Sequence, residues 1–342
     1  MKKDKPTPFQ HIIETLLDEK KPFPARYLYR LSDVEASELA LLQQSWPKVS
    51  VRRRQAVAED IQEFNQGDFL LNFYDFGLLA VVDPDPRVRL MAVLILAEYE
   101  DEELVSQMIR LSENDADMFV RAAAASALGN LVEMGELEEL AQSSLNQVEE
   151  CLLRIFNSQD AKTVRLRALE ALGYSSRQEV IPLIRAAYQS DEDDWLASSL
   201  LAMGRSFDAI WEADLLAALR DSRTSVRAEA VRAAGELELE EARPALMDML
   251  LDSETSVRQS AIWSLSQIGG NNVREVLEKL LDTSQGEDDE EIIESALENL
   301  EFTEGFANFN LMDFDEELED GELADDSLFE DEDLDTDDDG KN

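Results

Sequence analysis

Asp335, Asp337 and Asp339 alternate through DTDDDG and end on Gly340. That pattern matches the first six positions of an EF-hand calcium loop. Lys341 and Asn342, the residues that follow, supply neither the carbonyl ligand nor the bidentate glutamate that such a loop needs. No metal site is expected there. The single histidine, His11, is followed by Ile12 and falls in a predicted surface helix, so a Ser-His-Asp or Cys-His arrangement would have to be built on that one residue. Cys151 is the only cysteine, which excludes an intrachain disulfide. No glycine-rich phosphate loop is present. The sequence therefore offers no catalytic residue, no metal ligands and no cofactor site, and the chain is expected not to be an enzyme.

Spacing is more informative than chemistry. DSRTSVRAEAVRAAGELE at 221–238 returns at 252–269 as DSETSVRQSAIWSLSQIG, and 160–173 reads DAKTVRLRALEALG. Aligned on Val-Arg-x-x-Ala, the copies begin at Val164, Trp195, Val226 and Val257, each 31 residues apart. Upstream, Val88 and Val120 are 32 apart, and a longer gap to Val164 leaves room for an insertion after Leu131. PKVSVRRRQAVAEDI at 47–61 is a degenerate first copy, and Ile292 with Ala296 marks a worn last one. About eight units at a fixed period predict a solenoid.

One unit shows why the chain must stack. Pro244 suits a first helical turn, where its missing N–H has no partner to lose. Leu246, Leu250 and Leu251 recur at helical spacing, and Asp252-Ser253 breaks that helix. Val257, Ala261, Ser264, Leu265 and Ile268 form a second apolar stripe. Two short helices cannot bury both stripes by themselves.

These residues resemble the HEAT-repeat family, in particular its short-repeat subtype named after phycobilisome lyases. The resemblance rests on D-x3-4-V-R-x-x-A-x-x-A-[LA]-G over roughly 46–302. It implies an all-α, right-handed superhelical solenoid in which the Val-Arg helix lines the concave face. It also implies a ladder between the arginine and an aspartate of the inter-helix turn, here Arg89, Arg121, Arg165, Arg227 and Arg258 with Asp83, Asp115, Asp160, Asp221 and Asp252. The expected role of that ladder is to hold repeat register. Trp195-Leu196 stands where Val-Arg is expected, and Trp195 reads as a larger core plug at a stack junction, with a kink or pocket in the groove as the alternative. The deoxyhypusine hydroxylases, HEAT-like di-iron enzymes, need several His-Glu pairs, which one histidine cannot supply. The subtype's namesake leaves bilin lyase or bilin-handling activity as the alternative to a non-catalytic binding scaffold.

Six residues after the motif valine the copies place Ser126, Glu170, Leu201, Arg232 and Trp263. Leu201 and Trp263, with Arg232 beside them, are the expected partner-binding residues of the concave face.

Charge narrows the partners. The chain carries −45 overall, with −17 in 303–342, +4 in 1–55 and the remaining −32 between them. Such a surface repels nucleic acid and favours basic proteins. LMAVLILA (90–97) is too short to span a bilayer, and the opening MKKDKPTPFQ lacks a secretory apolar run. A cytoplasmic protein is expected.

Residues 1–45 read as an N-terminal helical cap, 46–302 as the solenoid and 303–342 as an acidic, disordered tail. In the cap, PFQHIIETLLDE reads as an amphipathic helix, KPFPARYL as a loop, and SDVEASELALLQQSW as a helix capped by Ser32 or Asp33. Arg52, Arg53 and Arg54 read as a solvated basic face, with docking of an acidic segment as the alternative. In the tail, Phe306, Phe309 and Phe314 are the expected apolar anchors of an acidic lure for basic partners.

Overall fold

The computed structural model describes residues 7–67, 70–284, 286 and 289–302. The tail from Thr303, with Phe306, Phe309, Phe314 and the aspartates around Gly340, lies outside the described residues. Among those residues the secondary structure is helical throughout, with no strand.

The α-helices are α1 (Phe9–Leu17), α2 (Ala36–Ser45), α3 (Val51–Gly67), α4 (Tyr74–Ala80), α5 (Pro86–Leu96), α6 (Leu104–Asn114), α7 (Met118–Glu136), α8 (Gln142–Phe156) and α9 (Lys162–Leu172). They continue as α10 (Val180–Tyr188), α11 (Asp193–Arg205), α12 (Glu212–Ala218), α13 (Thr224–Glu236), α14 (Arg243–Met249), α15 (Thr255–Ile268), α16 (Val273–Thr283) and α17 (289–302). From α4 onward each even-numbered helix pairs with the odd-numbered helix that follows. The motif valines, and Trp195, lie in the first turn or two of α5, α7, α9, α11, α13 and α15.

Local chemistry sets these boundaries. At α5, Pro86 occupies the first turn and the Asp85 carboxylate accepts from the backbone N–H of Arg87 and Val88. Asp117 caps α7 in the same way, accepting from Phe119 and Val120. At the far ends, Glu138, Phe207 and Glu238 turn the chain with φ of +63°, +47° and +49°. The extra length between Val120 and Val164 is absorbed by α7, which runs to Glu136, and by a long α8.

The odd-numbered helices form one continuous row, each packed on the next from α3 to α15, whereas even-numbered neighbours touch far less. Glycine sets that close approach. A Cβ on Gly129 would lie 3.2 Å from the Ala171 Cα, and one on Gly173 or Gly204 only 2.7 Å from the Cα of Ala202 or Ala233. The row that packs closer lies inside the curve, so α5 to α15 present the concave face. Val88, Val120, Val164, Val226 and Val257 are fully buried between the two rows.

The N-terminal region differs in detail from its reading. α1 buries Phe9, Ile12, Ile13 and Leu16, as an amphipathic helix should. The stretch expected to be a loop contains a 3-10 helix, Ala25–Leu31, that buries Tyr27, Leu28 and Leu31. Neither Ser32 nor Asp33 caps α2, which starts at Ala36 without a side-chain cap. Asp33 takes φ +47°, and the Ser32 hydroxyl instead accepts from the Asn72 N–H at 2.9 Å. The basic cluster is also not simply a solvated face. Arg53 donates to the carbonyls of Thr15, Asp18 and Lys21, closing the C-terminal end of α1. Arg54 is buried, donates to the Val49 carbonyl at 2.6 Å and pairs with Asp83 at 2.8 Å.

Candidate functional site

The ladder bridges turns rather than closing within one. Arg89 donates through Nε and Nη2 to Asp115, both at 2.7 Å, while its Nη1 donates to the Asp83 carbonyl at 2.9 Å. Arg121 grips Asp160 at 2.8 and 2.6 Å and donates to the Asp115 carbonyl at 2.7 Å. Arg227 repeats the pattern on Asp252, both bonds 3.2 Å, and on the Asp221 carbonyl at 3.0 Å. Each guanidinium thus holds its own turn by a carbonyl and the next turn by a carboxylate, which fixes the stagger between units. Arg54 with Asp83 adds a rung at the N-terminal end. The Arg121 guanidinium holds the Asp160 carboxyl below its usual range, with burial opposing. Arg258 donates to the carbonyls of Asp252 and Ser253 at 2.9 and 3.1 Å and to Thr255 Oγ1 at 2.9 Å.

The ladder breaks around α11. Ser190 stands five residues before Trp195, the place of Asp83, Asp115, Asp221 and Asp252 before their motif valines. Arg165 reaches a carbonyl and two rings instead of a carboxylate. It donates to the Phe156 carbonyl at 2.9 Å and lies over the rings of Phe156 and Trp195, 5.9 and 5.2 Å from their centroids. Trp195 packs edge-on against Phe156, so it acts in the stack. Leu196 replaces the next arginine, and Asp221 is held instead by Arg223 from its own turn, at 2.9 and 2.8 Å. Those bonds bring the Asp221 carboxyl down to about 2.

The concave face is written in positions three, six and ten after the motif residue. They read Arg167 and Glu170 on α9 with Tyr174 in the turn after it; Ser198, Leu201 and Arg205 on α11; Glu229, Arg232 and Glu236 on α13; and Ser260, Trp263 and Gln267 on α15. Glu170 is buried, accepts from the Ser198 hydroxyl at 2.5 Å and pairs with Arg167 at 2.9 Å. Arg205 donates to the Glu170 carbonyl at 3.1 Å and lies 5.0 Å over the Tyr174 ring. Arg232 pairs with Glu236 at 3.3 Å. Four polar atoms of this network are shielded from solvent without a hydrogen-bond partner: Oε2 of Glu229, Oε2 of Glu236, and Nε of Arg167 and of Arg205.

Burial pushes the carboxyls of Glu170, Glu229 and Glu236 above their usual range, against the pull of the neighbouring arginines. The same cause raises Glu133 on α7, beside Arg205 and Tyr174. A raised folded value means that the protonated form fits the fold better. The associated stability is present below the unfolded value near 4.5 and is lost as pH rises through the folded value. Glu236→Gln mimics the protonated acid, so it should raise the melting temperature at pH 7 and leave it nearly unchanged at about pH 4, below the unfolded value. Equal effects at both pH values in a thermal melt would contradict this account.

The three expected partner-binding residues fare differently. Arg232 is exposed, and Trp263 keeps 38% of its surface exposed. Leu201 is a correction: it is only 7% exposed and cannot offer an apolar contact on the face. The acid–arginine network itself was missed, because its members come from three positions on three helices and only position six was read. Phe119 was missed too. It lies one residue before Val120, is 54% exposed, and occupies a position where other copies carry Arg87, Thr163, Asp194, Ser225 and Ser256. That departure was visible in the alignment of copies.

Among the described residues no cluster of His, Cys, Asp and Glu could hold a metal ion, and no helix is long and apolar enough to cross a membrane. Cys151 is buried, packs 3.6 Å from the Ser112 hydroxyl, and its thiol is pushed up to about 11 by burial.

A stack of helix pairs with an inner polar face defines an α-solenoid repeat protein. The HEAT repeats family matches residues 77–147 and 212–301. The sequence matches none of the curated proteins. Among solved structures it is similar to yeast importin-β (Kap95p), with 17% identity over 86% of this chain and 46% of that one, at TM-score 0.47. It is similar to the CpcE–CpcF complex of phycocyanin lyase from Nostoc sp. PCC7120, with 18% identity over 66% of this chain and 94% of that one, at TM-score 0.46. Human deoxyhypusine hydroxylase is a further neighbour, at 18% identity over 86% of this chain and 96% of that one, with TM-score 0.36.

Proposed function

We propose that the chain is a non-catalytic scaffold whose concave face, from α9 to α15, binds a segment of a basic protein. The observation that supports this reading most is the set of orphaned acceptors in the groove. Glu229 and Glu236 each keep a carboxylate oxygen out of water with no donor on it, a costly arrangement in a finished interior. These oxygens are shielded, so a Lys or Arg docked over the network would stabilise them through its charge rather than by a direct hydrogen bond. Four carboxylates, Glu133, Glu170, Glu229 and Glu236, face three guanidiniums, Arg167, Arg205 and Arg232, so an added cation balances the network. Trp263 lies one helix further along and supplies the aromatic anchor that interfaces favour.

The test is affinity capture from the native cell with the wild type and with Trp263→Ala combined with Arg232→Ala. Removing an aromatic anchor and a charged contact should weaken capture of the wild-type partner about tenfold or more, with the helical circular dichroism unchanged. Capture at the wild-type level would remove the groove from consideration.

A further inference from the structure

Each intact rung shows where this fold places a guanidinium. Arg89 sits between the carbonyls of Asp83 and Pro84, at 2.9 and 3.1 Å, and the carboxylate of Asp115. Arg227 sits between the carbonyls of Asp221 and Ser222, both at 3.0 Å, and the carboxylate of Asp252. In α5, α7 and α13 the arginine is the residue after the motif valine. In α11 that position is Leu196.

The rest of the rung is still present. The two carbonyls in register are those of Ser190 and Asp191, and no donor among the described residues reaches either. The carboxylate in register is Asp221. A cavity of about 360 Å³ opens at this place, and Ser190, Asp191, Leu196, Asp221 and Arg223 are among its lining residues. Those are the counterparts of the groups that enclose Arg89 and Arg227, with a leucine where the guanidinium would come from.

We infer that this cavity receives an arginine side chain from a partner, which enters as the missing rung. The inference deepens the reading of the chain as a scaffold for basic partners and rests on it. A guanidinium suits the cavity better than an ammonium. Its planar fork can serve two carbonyls and a carboxylate at once, as the resident arginines do. Arg223 occupies one edge of Asp221 and shares its Nη1 with Asp193 at 2.8 Å. Asp221 Oδ1 already accepts the backbone N–H and Nε of Arg223, at 2.8 and 2.9 Å, whereas Oδ2 takes only Nη2 and has capacity for one more donor. Asp191, exposed at the mouth, adds its own carboxylate. Asp191, Asp193 and Asp221 around one Arg223 leave the place short of positive charge.

The test uses the full chain and N-acetylarginine methylamide, followed by isothermal titration, with the uncharged citrulline analogue as control. One saturable site is expected, with citrulline weaker by about tenfold or more because it lacks the charge and the full fork. Leu196→Arg supplies the rung in cis and should abolish binding while keeping or raising the melting temperature. Should Leu196→Arg fail to fold, Asp191→Lys, at an exposed position, should abolish binding equally. The combined Trp263→Ala and Arg232→Ala variant should bind the arginine amide as the wild type does, which separates this site from the groove. Equal binding of citrulline, undiminished binding in Leu196→Arg or Asp191→Lys, or loss of binding in the groove variant would each overturn the proposal.

Discussion

Asp83→Ala should destabilise the N-terminal units by about 3–5 kcal/mol, the usual cost of leaving a buried charge without its partner. Asp83 is the most enclosed member of the ladder, with 1% of its side chain exposed. It pairs with the Arg54 Nε at 2.8 Å and accepts from the Trp46 indole N–H at 2.8 Å and the Asp85 N–H at 2.9 Å. Alanine would strand the Arg54 guanidinium, itself 6% exposed at the side chain, and the indole N–H together. Urea unfolding followed by helical circular dichroism measures the loss. Asp83→Leu combined with Arg54→Met should recover most of the stability, since a pair replaced by apolar groups of similar volume leaves no uncompensated charge. A loss below about 1 kcal/mol in Asp83→Ala would mark the contact as no stronger than a surface ion pair.

That result bears on what was legible in the sequence. The period, the helix pairing and the Val-Arg positions could be read because a valine that must be buried in every unit cannot drift. Arg54 could not be placed in the ladder, because Arg53 precedes it where valine is expected, so the run looked like surface charge. The order of the rungs was also out of reach. Spacing places Arg89 equally near Asp83 and Asp115 along the ladder, and only the stagger of neighbouring units sends its fork to Asp115. Leu201 shows the opposite failure. Its position in the repeat was right, but its exposure depends on how neighbouring helices pack around it, and a list of equivalent positions holds no such information. Leu196 was visible as a departure. The cavity beside it was not, because it is defined by groups from two turns that meet only in the stack.

Gly204→Ala should cost roughly 2 kcal/mol, although alanine is better than glycine in a helix by about 1 kcal/mol. The reason is the row of inner helices. A Cβ at Gly204 would lie 2.7 Å from the Ala233 Cα, 3.0 Å from the Ala233 Cβ and 3.0 Å from the Glu236 Oε2. The first of these is backbone, which cannot swing aside, so α13 must move as a body. Overpacking of this kind costs about 1–3 kcal/mol in well-packed interiors, enough to outweigh the propensity gain. The displacement has a second consequence, because α13 carries Glu229, Arg232 and Glu236. Shifting it spreads the groove at the place where the orphaned carboxylate oxygens face α11. The variant should therefore bind the groove's partner more weakly even under conditions where it remains fully helical. A chemical denaturation curve and a binding isotherm on the same sample separate the two effects. A variant as stable as the wild type would mean that α11 and α13 tolerate a wider spacing than the glycine implies. Lost stability with undiminished binding would detach the inner-row packing from the groove.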